Sequence, residues 1–128
     1  ELKLGAYAEV EKVQVDEISE AVVVELEQAG FHVSRIQQNQ AFISVIYANL
    51  KEAFDDKKLN VLLKAKAQIK WLKLAKSSVN DQQLATLSVL ENLTNLDISN
   101  TAISHAGVIA LDKLPRLKIN TFNTLVKE

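Results

Sequence analysis

Between Ile69 and Arg116 one arrangement of apolar and polar positions is written twice, first as IKWLKLAKSSVNDQQLATLSVLEN and then as LTNLDISNTAISHAGVIALDKLPR. Superposed at a step of 24 residues, Ile69 meets Leu93, Leu72 meets Leu96, Leu74 meets Ile98, Ser77 meets Thr101, Val79 meets Ile103, Leu84 meets Val108, Leu87 meets Leu111 and Leu90 meets Leu114. Each copy begins with alternation, which suits a short strand, and passes into helical spacing. A unit of this size cannot bury its apolar side alone, so the pattern predicts stacked turns of chain. The expected architecture is α/β: a short right-handed solenoid with parallel strands on its concave face and helical returns behind them.

The same template extends in both directions. Phe54, Leu59, Leu62 and Ala65 match Val79, Leu84, Leu87 and Leu90 at a step of 25 residues, which places the first, degenerate turn near Phe42. Asp55, Asn80 and Ser104 hold the same place in successive turns and are good helix N-caps, and Gln83 completes a capping box with Asn80. Before the array, Asp16 reads as an N-cap for a helix over 17–29, with Glu17 and Glu20 in its first turn, Ile18, Val22, Leu26 and Ala29 on one face and Gly30 closing it. Phe31, Val33 and Ile36, a polar connector over Gln37 to Gln40, and Phe42, Ile43, Val45, Ile46 and Tyr47 then predict a β-hairpin. Val13 and Val15 suggest a short extended piece. The last turn, from Leu117 through Ile119, Thr121, Phe122, Asn123, Thr124 and Val126, fits after one deletion and ends at Glu128 without a helical return. The chain is therefore expected to be a single domain over 1–128: a linker or extended lead-in at 1–15, a helix and hairpin cap at 16–41, and repeat turns at 42–128. The uncovered last strand predicts contact with a second copy, a homodimer through the C-terminal edge, or a short edge that is simply tolerated.

The framework L-x-x-L-x-[LI]-x-x-[ST]-x-[VI], with Ser77, Thr101 and Thr124 at its hydroxyl position, resembles that of the leucine-rich repeat family. The run TAISHAGVIALDKLPRL, from Thr101 to Leu117, is similar to a bacterial version of that repeat, and departs from it at His105, where the family has Asp, and at Val108, where it has Leu. The stretches ELEQAGFHVSRIQQNQAFISVIY and QIKWLKLAKSSVNDQQLATLSVLENLTNLDISNT resemble the C-terminal segment of bacterial membrane-anchored proteins that carry a c-type cytochrome-like haem domain upstream. That resemblance covers about residues 16 to 128 and implies a periplasmic or envelope location. It implies no cofactor for the chain itself, which has no Cys-x-x-Cys-His.

Composition narrows the picture further. The chain has 128 residues, 48% of them hydrophobic, and 15 basic against 16 acidic side chains, so no strong field draws it to nucleic acid or an anionic membrane. Its longest uncharged apolar runs are far too short to span a bilayer. With no cysteine there are no disulfides or thiolate metal sites, and with no methionine the sequence reads as a fragment of a longer protein.

Candidate chemistry sits on the outward positions of the strands. Trp71 and Lys73 alternate with buried Leu72 and Leu74, and their counterparts are Asn95 and Asp97, then Lys118 and Asn120, with Phe122 just beyond. Strand spacing predicts a lateral pair between Lys73 and Asp97. Trp71, Lys73, Asn95, Asp97, Asn120 and Phe122 form the candidate binding face, with Trp71 as its anchor. His105 follows Asp81 by 24 residues and predicts a surface contact near two helix N-termini, whereas His32 reads as a solvent-facing strand residue. Lys64, Lys66, Lys70, Lys73 and Lys76 straddle a helix-to-strand junction and need not share a face. No catalytic set, phosphate loop or metal-ligand cluster is present in the pattern. The expectation is a non-enzymatic module that binds a protein or peptide, without cofactor, metal or nucleic acid. The alternative is a structural or oligomerisation domain that positions an upstream haem domain.

Overall fold

The computed structural model describes residues 16–37 and 41–126. The lead-in at 1–15, the extended piece around Val13 and Val15, and most of the polar connector lie outside these residues. The first helix, α1 (Glu20–Gln28), starts later than the spacing suggests. Ser19 is its N-cap, accepting from the Val22 N–H, while the Asp16 carboxylate accepts none of the described helix N–H bonds: the Asp16 carbonyl accepts from the Gln68 amide and Glu17 pairs with Arg35. The segment expected to form the first turn is thus held extended by partners in the hairpin and in the loop before the third strand, and the next available hydroxyl starts the helix. At its other end Gly30 takes a φ of 101°. Its carbonyl accepts from the N–H groups of Ala48 and Asn49, and a Cβ there would stand 2.7 Å from Asn49 Cβ.

The hairpin forms as the alternation requires. β1 (Phe31–Arg35) pairs antiparallel with β2 (Ile43–Tyr47), Phe31 opposite Tyr47 and Arg35 opposite Ile43. Beyond it come α2 (Asp56–Leu63), β3 (Ile69–Lys73), α3 (Asp81–Thr86) with a 3₁₀ turn over Leu87–Val89, β4 (Asn95–Asp97), α4 (His105–Ile109) and β5 (Lys118–Asn120). The sheet order equals the chain order, β1 to β5, and every pair from β2 onward is parallel. The architecture is mixed α/β, with a mostly parallel five-stranded sheet and a helix in each of the three parallel connections.

Equivalent positions meet across the strands. Leu72 sits opposite Leu96 and Leu96 opposite Ile119, so the 24-residue step and the single deletion after Leu117 are both realised in the register. Leu72, Leu74, Leu96 and Ile98 are buried together with Leu62, Leu84, Leu87 and Leu90 in one core. Phe31, Tyr47 and Phe54 close its hairpin end, with ring centroids 5.2 to 6.2 Å apart in tilted and edge-on geometry. The Tyr47 hydroxyl donates to the Glu52 carbonyl. At the β5 end the equivalents Leu114, Leu117, Ile119 and Val126 are only partly buried.

The caps divide into two kinds. Asp55 accepts from the Lys58 N–H, and Asn80 and Gln83 form the capping box. Ser104 occupies the N-cap position of α4, but its hydroxyl makes no cap bond of its own. After each of the last three strands the chain turns through a residue of positive φ, Lys76 (65°), Asn100 (58°) and Asn123 (57°). The following hydroxyls of Ser77, Thr101 and Thr124 donate to the carbonyls of Leu74, Ile98 and Thr121 at 2.7, 2.6 and 2.7 Å. Among the described residues no helix is long and apolar enough to cross a membrane.

Candidate functional site

The helices bury one face of the sheet and leave the other open. Alternation carries the apolar side chains of each strand inward, so residues between them must point away from the core. The register then sets them in two rows across the strands: Ser44, Trp71, Asn95 and Lys118 in one, Ile46, Lys73, Asp97 and Asn120 in the other. These residues line a trough of about 470 Å³, with Leu72, Leu96 and Ile119 between them. Trp71 is 43% exposed, a large value for a side chain of this size in the middle of a sheet.

Five of the six candidate residues, Trp71, Lys73, Asn95, Asp97 and Asn120, are brought together in the trough. Phe122 is not. It is 72% exposed and lines an adjoining depression that shares Ile119 and Asn120 with the trough, because the chain has already turned away from the strand at that point. Lys118, the approximate counterpart of Trp71 and Asn95, does lie in the trough. Ser44 and Ile46 join the candidate residues in the trough, their outward direction fixed by parity with buried Ile43, Val45 and Tyr47. Placing them beside Trp71 and Lys73 required the register irregularity at Ile43/Ser44, which skips Lys70. Lys70 is thereby displaced to lie over the Phe42 ring, 5.1 Å from its centroid.

The polar groups of the trough are partly used by their own strands. The Asn95 Oδ1 accepts from the Thr94 hydroxyl at 2.9 Å, the Asp97 Oδ1 from the Ser99 N–H at 2.9 Å and the Asn120 Oδ1 from the Phe122 N–H at 3.1 Å. The lateral pair expected between Lys73 and Asp97 is therefore not made. The two are register partners, yet no ion pair joins them among the described residues, because the carboxylate is turned along its own chain to satisfy a backbone donor where the strand ends. Neither Lys73 nor Lys118 is in any of the described ion pairs, whereas Lys64 pairs with Glu25 and Lys58 with Glu52 and Asp55. The lysines of the 64–76 run are thus dispersed over several surfaces.

The contact expected between His105 and Asp81 also resolves differently. Asp81 accepts from the Ser104 N–H at 2.8 Å and from its hydroxyl, so the first residue of α3 caps the start of α4. An N-cap N–H without a partner in its own helix is the stronger claimant on that carboxylate, and His105 is left exposed. His32 is likewise exposed on β1. No group of three or more His, Asp or Glu side chains among the described residues is placed to hold a metal ion. The open face presents an indole, two ammonium groups, two amides, a hydroxyl and one carboxylate around a strip of apolar surface. No protein-family model, curated protein or solved structure matches the chain.

Proposed function

We propose that this chain is a short leucine-rich-repeat solenoid acting as a non-enzymatic interaction module, which docks a protein or peptide on the open face of its sheet. The observation that carries this reading is the register: it gathers Trp71, Lys73, Asn95 and Asp97 into one trough while the helices occupy the opposite face. An exposed tryptophan at the centre of a rigid sheet offers a large contact area at low entropic cost, which is the character of a binding anchor. The resemblance of residues 16 to 128 to the C-terminal segment of membrane-anchored haem proteins supports an envelope setting. In that setting the module would serve a larger protein and carry no cofactor of its own.

The test is a capture experiment from envelope extract with the wild-type chain and with Trp71→Ala combined with Lys73→Ala, neither of which is buried. Loss of the same captured protein in the variant, with unchanged thermal stability, agrees with the reading. Capture that is indifferent to both substitutions removes the open face as the docking surface.

A second reading is favoured by the opposite end of the core, where Ile119, Leu117 and Val126 are half-buried and Leu125 is 63% exposed. On that reading the domain positions an upstream redox domain by pairing β5 with a second copy. Sedimentation that is concentration-dependent in the wild type and monomeric in Ile119→Lys would support it.

A further inference from the structure

We infer that the trough selects an extended acidic peptide, one that alternates carboxylates with apolar side chains. The inference rests on the docking reading above and names the ligand class for that face. Its basis is the state of each polar atom there. Three of the side-chain acceptors that face the trough, Oδ1 of Asn95, Asp97 and Asn120, each already accept one hydrogen bond from a near neighbour in the chain. The donors of the trough residues, the amide Nδ2 groups of Asn95 and Asn120, the indole N–H of Trp71 and the ammonium groups of Lys73 and Lys118, take part in none of the described hydrogen bonds or ion pairs. Asp97, whose Oδ2 accepts none of the described hydrogen bonds, is the one carboxylate of the trough, and the Ser44 hydroxyl serves either way.

A face whose ammonium and amide donors are unengaged, while its acceptors already serve their own chain, favours a ligand rich in acceptors, because a ligand donor brought there must share lone pairs already in use. Two cations against one carboxylate give the same preference electrostatically. Ile46 and the Trp71 ring supply apolar contact between them. Four strands about 4.8 Å apart span roughly 14 Å, which about four to five residues of an extended chain cover at ~3.3 Å each. The balanced charge of the chain, 15 basic and 16 acidic side chains, and the presence of only two trough cations favour a peptide over a nucleic acid, which needs a run of phosphate contacts.

Trp71 is the only tryptophan, so its emission reports occupancy of the trough directly. The full chain is titrated with a synthetic peptide alternating glutamate and leucine, with the same peptide carrying lysine for glutamate, and with an oligothymidylate of matching charge. The expected result is a saturable change with the glutamate peptide alone, weakening several-fold between about 0.05 and 0.3 M salt. Lys73→Glu combined with Lys118→Glu should weaken the glutamate peptide at least about ten-fold and admit the lysine peptide, with the circular dichroism spectrum unchanged. Equal or tighter binding of the lysine peptide overturns the acceptor-rich ligand while leaving docking on this face intact. Oligothymidylate binding as tight as the peptide overturns the peptide as occupant. No response of Trp71 to either peptide, or glutamate-peptide anisotropy unchanged in Trp71→Ala, overturns the inference; if the captured envelope protein still depends on Trp71, the docking reading survives alone.

Discussion

Lys76 sits in a left-handed conformation, φ 65°, that costs a side chain with a Cβ roughly 1 kcal/mol relative to glycine, and that asparagine offsets through the local hydrogen bonding of its short amide. Its equivalents one and two turns later are asparagines, and Asn123 donates its amide to Asn100 Oδ1 at 2.7 Å. Lys76→Asn is therefore expected to raise stability by about 1 kcal/mol in urea unfolding, from relief of strain and extension of that amide row. A decrease would mean that the lysine makes an unrecognised compensating contact. Asp55 is the second residue with a definite expectation. The Lys58 N–H that it accepts holds its carboxyl below the ordinary value of 3.8. A lowered folded pKa gives stability that is present above the unfolded value and lost as pH falls through the folded one. Asp55→Asn keeps an acceptor at the cap but should flatten the acid limb of stability against pH below about 4. The cap was legible from sequence because Asp, Asn and Ser recur at one phase of the repeat. The left-handed turn was not, since lysine is an uncommon occupant and only the backbone reveals it.

At the level of elements, the three helical returns are tied to one another at their N-termini. Gln83 of α3 reaches back to the Phe54 carbonyl and Asp56 Oδ1, and Asp81 reaches forward to Ser104. Gly107 permits the second tie, because a Cβ there would stand 2.6 Å from Asp81 Oδ1 and 3.3 Å from Asp81 Cα. Asp81→Ala should cost about 1–3 kcal/mol by leaving the Ser104 N–H without its acceptor. Gly107→Ala should act through the same contact, so the double variant is expected to be less destabilised than the sum of the two, a non-additivity measurable by chemical denaturation. Additive effects would show that the glycine matters for another reason. Element order and type were readable from the change of period between alternation and helical spacing. The start of α1 was not, because Asp16 and Ser19 are both competent caps and the choice between them was made by Gln68 and Arg35, distant in sequence.

For the whole molecule, burial depends on position across the sheet rather than on residue type. Leu96, with strands on both sides, is 2% exposed, whereas its equivalent Ile119 is half-buried at the edge. Leu96→Ala is expected to cost about 2–5 kcal/mol and Ile119→Ala clearly less, by thermal or urea unfolding; equal costs would imply that the β5 edge is covered in solution. The repeat step, the inward framework and the outward set around Trp71 followed from sequence alone, because a strand or helix writes its buried face into the chain at a fixed local period. The partners of Asp97 and Asp81, the displacement of Phe122 from the trough and the addition of Ser44 and Ile46 to it came only from the tertiary structure. Each depends on which of several competing hydrogen bonds or registers has the better geometry in three dimensions, and that competition leaves no trace in spacing.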